Sequence, residues 1–171
     1  MAKLDSYIAR KSEALVARRE DWTANPEKAV ATIRASSKVA GITGTRPTKM
    51  GEYTIVSDSA PGLAGFSLGP TSPEMLLGAL ASCLVHTYLI HATLLNIPLD
   101  DVAIEISGTL DYKPVVGLPS ENRPAFSDIQ YNATVESPAD AATIEQLHAS
   151  VEANCPVLNT IRYPTPIQRS S

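Results

Sequence analysis

Cysteine is scarce in this chain: there are two in 171 residues, Cys83 and Cys155, 72 positions apart, and histidine numbers only three. That shortage excludes a cysteine-rich zinc site and a disulfide framework, leaving two free thiols or one bridge. An excess of basic charge is also absent. The net charge is −4 and the pI is near 5.3, with Lys and Arg scattered, so no nucleic-acid footprint is expected. The opening segment MAKLDSYIARKSEALVARREDW has no long apolar stretch and carries Asp5, Glu13 and Glu20. It fits neither a secretory signal nor an acid-poor transit peptide, and a cytoplasmic location is the expectation.

What is present is an apolar fraction of 44% in a length suited to one globular domain or one domain with an appendage. Leu4, Ile8, Leu15 and Val16 recur at helical spacing between charges, predicting an amphipathic helix over residues 3–22. Asn25-Pro26-Glu27 announces a second, shorter helix with Val30 and Ile33 as its apolar stripe. The same punctuation recurs at Ser72-Pro73-Glu74 and at Ser137-Pro138-Ala139-Asp140. Strands are predicted over Tyr53–Asp58, around Val102, Ile104 and Ile106, and around Ile129, Tyr131, Ala133 and Val135, each alternating apolar with polar. The turn-rich stretch KPVVGLPSENRP makes the last two an antiparallel hairpin with a long loop. A helix carrying Ile144, Leu147 and Val151 follows, and a short strand is expected to end the chain. The order is α+β.

The stretch from Pro73 to about Asn96 is apolar almost all round and nearly long enough to span a bilayer. Gly78, Ser82, His86, Thr87, His91 and Thr93 lie within it, its flanks lack Lys/Arg asymmetry, and amphipathic strands follow at once, so no membrane association is expected. A helix buried on every side in a globular core fits better. With so few aromatic residues one small chain has difficulty enclosing it, and a homodimer is expected to supply the missing surface.

At 100° per residue Ser82, Cys83, His86 and Thr93 fall within an arc of about 100°, a half-polar strip on that helix. Cys83 and His86 are one turn apart, so the imidazole can tune the thiol or simply be a hydrogen-bonded core histidine. Cys155 precedes Pro156, which suits a first helical position and places Cys155 at a helix N-terminus.

These stretches carry a resemblance. GPTSPEMLLGALASCL (Gly69 to Leu84), with an acid nine residues before its cysteine, followed by CPVLNTI (Cys155 to Ile161), resembles the paired signature of the OsmC/Ohr family of osmotically inducible and organic-hydroperoxide-resistance proteins. NIPLDDVAIEISGTLD (Asn96 to Asp111) is similar to the family's segment after the central helix. The resemblance spans roughly residues 38–169 and implies an OsmC-like domain over 37–171. Residues 1–36 resemble a helical extension found in a subset of relatives.

The resemblance implies curved antiparallel sheets around a buried central helix in an intertwined homodimer. It also implies a cysteine peroxidase without metal, haem or flavin. Cys83 would attack an organic hydroperoxide and become a sulfenic acid, Cys155 would resolve it as a disulfide, and a dithiol, lipoyl-type or other, would be the reductant. Family members pair the thiol with a glutamate and an arginine. Glu74 matches the glutamate, although nine residues place it about 180° round the helix from Cys83; a plain helix-dipole acid is its bland reading. For the arginine, Arg46, Lys49 and Arg123 are candidates, none in the family's glycine-flanked setting, and His86 is a substitute cation. The rival reading is a carrier on the same scaffold, holding an apolar ligand with cysteines that are not catalytic.

Overall fold

The protein is described by a computed structural model that covers residues 3–163 and 165–169. Its chain divides into two compact units, one formed by the residues up to Val16 together with those from Ala79 onward, the other by Ala17–Gly78. Residues 1–36 contribute to both.

The first unit contains the apolar core. Leu4, just before helix α1 (Asp5–Ala24), packs against it, and no residue of α1 itself is buried. Helix α2 (Ser72–Leu94) begins at the capping signal expected at Ser72-Pro73-Glu74. Its end is a Schellman motif: Asn96 takes a left-handed φ of 54°, its N–H bonds the Thr93 carbonyl, and the Ile97 N–H bonds the Ala92 carbonyl. Leu80, Leu84, Tyr88 and Ala92 form the buried stripe of α2. They pack with Leu147 and Val151 of α3 (Ala141–Asn154), Cys155, and Leu158 of α4 (Pro156–Arg162). Each such Leu or Val contributes about 1.5–3 kcal/mol by leaving water.

Two long strands close this core. Alternation in β4 (Asp101–Leu110) and β5 (Phe126–Glu136) puts Val102, Ile104, Ile106, Ile129, Tyr131, Ala133 and Val135 on the inner face and leaves Ala103, Glu105 and Ser107 exposed. They pair antiparallel from Asp101 opposite Glu136 to Leu110 opposite Phe126, with an irregularity at Thr109/Leu110. The long loop between them is tied by Asp111, whose carboxylate accepts bonds from Ser120, the Lys113 N–H and Asn122, and so is held down to about 2.

The second unit is a three-stranded antiparallel sheet in the order β1 (Ala35–Ser37), β2 (Arg46–Met50), β3 (Tyr53–Ser57). Its hairpin turns at Gly51, whose φ of +60° suits glycine. Among the described residues, the fully buried side chains of this unit are polar: Thr45, Ser57 and Asp58. Tyr53, Ile55 and Val56 of β3 are exposed, Tyr53 at 79%.

The architecture is α+β, with antiparallel sheets and helices as read from the sequence. Four details differ. The helix expected after Asn25 is a single 3-10 turn (Pro26–Ala29), and Val30 and Ile33 stand 82% and 92% exposed, because two apolar residues without a facing element bury nothing. Strands β1 and β2 carry little apolar alternation and were not expected. The chain ends in helix α4 rather than a strand; among the described residues after it none is extended in a sheet. Finally, α2 is buried along one stripe only: Leu76, Ala79, Ser82 and His86 are exposed in the single chain.

Candidate active site

The break between α3 and α4 positions the second cysteine. Helix α3 starts at Asp140, whose side chain accepts the Thr143 N–H at 2.8 Å, and runs to Asn154. Pro156 has no N–H to continue the ladder, so Cys155 is at once the C-cap of α3 and the N-cap of α4. Its side chain is 0% exposed, within the core.

Cys83 reaches the same place from α2. Half-buried and unbridged, its thiol interacts with the Cys155 side chain, the Val157 backbone N–H and the Thr87 hydroxyl. Thr87 also donates to the Cys83 carbonyl at 2.8 Å. Burial pushes the Cys83 thiol above its ordinary value; the Val157 N–H opposes that, and the neighbouring Cys155 adds to it. Residues 72 positions apart in sequence are thus brought together within one unit.

His86 is one turn beyond Cys83 but is engaged elsewhere. Its Nε2 lies 3.0 Å from the Lys11 Nζ, and burial together with that ammonium lowers its pKa. Both effects disfavour the imidazolium that a cation for the thiol would require. His91 is a satisfied core histidine, its Nδ1 2.7 Å from the Ser150 hydroxyl.

Glu74 and Arg46 belong to the second unit, and each has local partners. Glu74 closes a capping box at the start of α2: Oε2 accepts the Thr71 N–H at 2.7 Å and the Thr71 hydroxyl at 2.8 Å, and these bonds depress its carboxyl. Arg46, opening β2, donates to the Gly44 carbonyl at 3.1 Å and the Ser59 hydroxyl at 3.4 Å. Beside it the buried Asp58 accepts the N–H groups of Ser59, Phe66 and Leu68, which hold its carboxyl below the usual range. Arg46 and Asp58 share the wall of an open cleft of about 400 Å³ with Ile42, Thr43 and Leu63. Lys49 and Arg123 are exposed.

Three residues of the cysteine pocket were not singled out from the sequence. Thr87 had a readable signal, lying four residues after Cys83 and so on the same helix face. Val157 and Asn159 act through backbone geometry that appears only once Pro156 is seen to break the helix.

The sequence matches the family model described as OsmC-like protein over residues 65–170. Solved structures share the fold at low identity. An OsmC-like protein from Mycoplasma pneumoniae superposes with a TM-score of 0.67 at 17% identity, covering 78% of this chain and 89% of the other. An organic hydroperoxide resistance protein OsmC from Legionella pneumophila gives 0.58 at 20% identity, covering 78% and 90%. The organic hydroperoxide resistance protein OhrB of Bacillus subtilis gives 0.51 at 17% identity, covering 78% and 93%. No curated protein sequence matches significantly.

Proposed function

The chain belongs to the OsmC-like protein family, and on that premise we propose that it is a cysteine peroxidase that reduces organic hydroperoxides to alcohols. The observation that carries the reading is the meeting of Cys83 and Cys155 at the apolar core. Once deprotonated, Cys83 attacks the terminal oxygen of ROOH. The O–O bond breaks, the alkoxide takes up a proton and leaves as ROH, and sulfur carries the hydroxyl as a sulfenic acid. The Cys155 sulfur then attacks Cys83; water leaves and a disulfide forms. A small dithiol returns the pair to thiols by exchange, itself becoming a disulfide, so all electrons pass through sulfur.

Leu80, Leu84 and Leu158 make the surroundings of the pair apolar, which suits an alkyl or fatty-acid hydroperoxide over hydrogen peroxide. The thiol needs help to ionise, because burial pushes it up. By family resemblance we assign that help to the Arg46 guanidinium, with Glu74 as its paired carboxylate; the contact of His86 with the Lys11 ammonium speaks against an imidazolium there. We further propose that the working form is a cytoplasmic homodimer. The exposed side of α2 and the uncovered sheet of the second unit support a second copy as their cover.

The raised Cys83 thiol favours a second reading, a carrier that holds an apolar ligand and does no chemistry. Steady-state consumption of cumene hydroperoxide with dihydrolipoamide as donor separates the two. The peroxidase reading expects turnover, faster with the organic peroxide than with hydrogen peroxide. No consumption by the reduced protein overturns it.

A further inference from the structure

Pro156 leaves the end of α3 short of donors. In a continuous helix the Glu152 carbonyl would accept the N–H of residue 156, and proline has none. The Ala153 carbonyl would accept the Val157 N–H, which here turns to the Cys83 sulfur. Both carbonyls are met by one side chain: the Asn159 amide nitrogen lies 3.1 Å from the Glu152 oxygen and 3.3 Å from the Ala153 oxygen. The same nitrogen is 2.9 Å from the Cys155 oxygen, which also accepts the Asn159 backbone N–H at 3.0 Å. Asn159 is half-buried, so these contacts are partly shielded from water. The two carbonyls that Pro156 and the turned Val157 N–H leave short, and that of Cys155 itself, thus converge on a single residue.

We propose that Asn159 is the positioning residue of the cysteine pair: its side-chain amide stands in for the helix donors missing at Pro156 and locks the backbone of Cys155 where its sulfur meets Cys83. Without it the junction gains conformational freedom, and Cys155 spends less time in the bonding geometry. Thr160 provides the contrast, since its hydroxyl bonds the Pro156 carbonyl at 2.8 Å, a bond within α4. The proposal rests on the reading that Cys83 and Cys155 form the redox pair, but not on the peroxide chemistry.

The test is therefore run without peroxide. The full-length protein is equilibrated in glutathione buffers, where two protein thiols and one oxidised glutathione give the protein disulfide and two reduced glutathiones. The disulfide fraction then yields the effective concentration of one thiol for the other. Asn159→Ala is expected to lower that effective concentration by about tenfold, the equivalent of one net hydrogen bond. Thr160→Ala should stay within about twofold of the parent, since it costs only a bond inside α4. Asn159→Asp, which keeps the shape but turns acceptors toward three carbonyls, should fall at least as far as Asn159→Ala. Equal values for parent and Asn159→Ala overturn the proposal, as does an equal loss in Thr160→Ala, which would mean general loosening of α4. A parent that forms no Cys83–Cys155 disulfide in this buffer overturns it too. If the parent forms that disulfide and loses it with Asn159, yet consumes no hydroperoxide, the peroxidase reading fails while the positioning role stands.

Discussion

The Cys83 thiol on α2 and the buried Cys155 at the α3–α4 break interact directly, and Cys155 raises the cost of ionising Cys83. Cys83 starts above the ordinary thiol value of 9.0, with burial as the largest cause and Cys155 contributing in the same direction. Replacing Cys155 by Ala should therefore lower the Cys83 pKa, so that alkylation by iodoacetamide becomes faster at any pH below it. Thr87→Val removes a hydroxyl that favours the thiolate and should move the profile the other way. Rates measured from pH 7 upward decide this; identical profiles in all three proteins would remove both side chains from the electrostatics of the thiol.

His86 offers an opposite expectation. Burial first and the Lys11 ammonium second lower its pKa, which disfavours the imidazolium that would help Cys83 ionise. His86→Asn should leave the alkylation profile of Cys83 unchanged. Lys11→Met should raise the His86 pKa only part of the way to its ordinary value of 6.5, because burial remains. Proton NMR titration of the ring reads the second effect directly.

Glu152 ties three elements together through Tyr131 of β5, which donates to it at 2.7 Å, and Arg162 of α4 at 3.2 Å. The Tyr131 hydrogen bond is the chief cause of its lowered carboxyl pKa. A depressed carboxyl contributes stability that is present above its unfolded value, near 4.5, and is lost as pH falls through the lower folded value. Glu152→Gln should cost less than about 1 kcal/mol at neutral pH, since the pair with Arg162 is partly exposed. It should also flatten the acid limb of a denaturation series run below pH 5; an unchanged acid limb would show that the carboxylate is not linked to folding.

The homodimer is expected to be obligate. A unit whose buried side chains, among the described residues, are Thr45, Ser57 and Asp58 has no apolar core of its own to stabilise it, while Tyr53, Ile55 and Val56 remain in water. Sedimentation at micromolar concentration should give twice the chain mass, with dissociation coinciding with unfolding. A folded monomer under those conditions contradicts the expectation.

Much of this was legible in the residues, for reasons that differ by element. The alternation in β4 and β5 reflects one buried face and one wet face, and α2 announces both its start and its apolar content. Strands β1 and β2 were not legible: Ala-Ser-Ser and Arg-Pro-Thr-Lys-Met lack a buried face in this chain, and the Gly51 turn sets only the pairing of β2 with β3. Val30 and Ile33 misled because spacing says nothing about whether a facing element exists. At the site, the two cysteines were visible as chemistry-bearing residues. Asn159 was not, because an amide that replaces missing backbone donors has no signature apart from the proline break it repairs.

The most direct measurement is a titration of the reduced protein with one equivalent of an organic hydroperoxide, followed by peptide mass mapping of the parent, Cys83→Ser and Cys155→Ser. The account predicts one Cys83–Cys155 disulfide in the parent, a sulfenic acid on Cys83 that oxidises further in Cys155→Ser, and no rapid peroxide loss in Cys83→Ser. Both cysteines remaining reduced under excess hydroperoxide, or Cys83→Ser consuming it as fast as the parent, would contradict it.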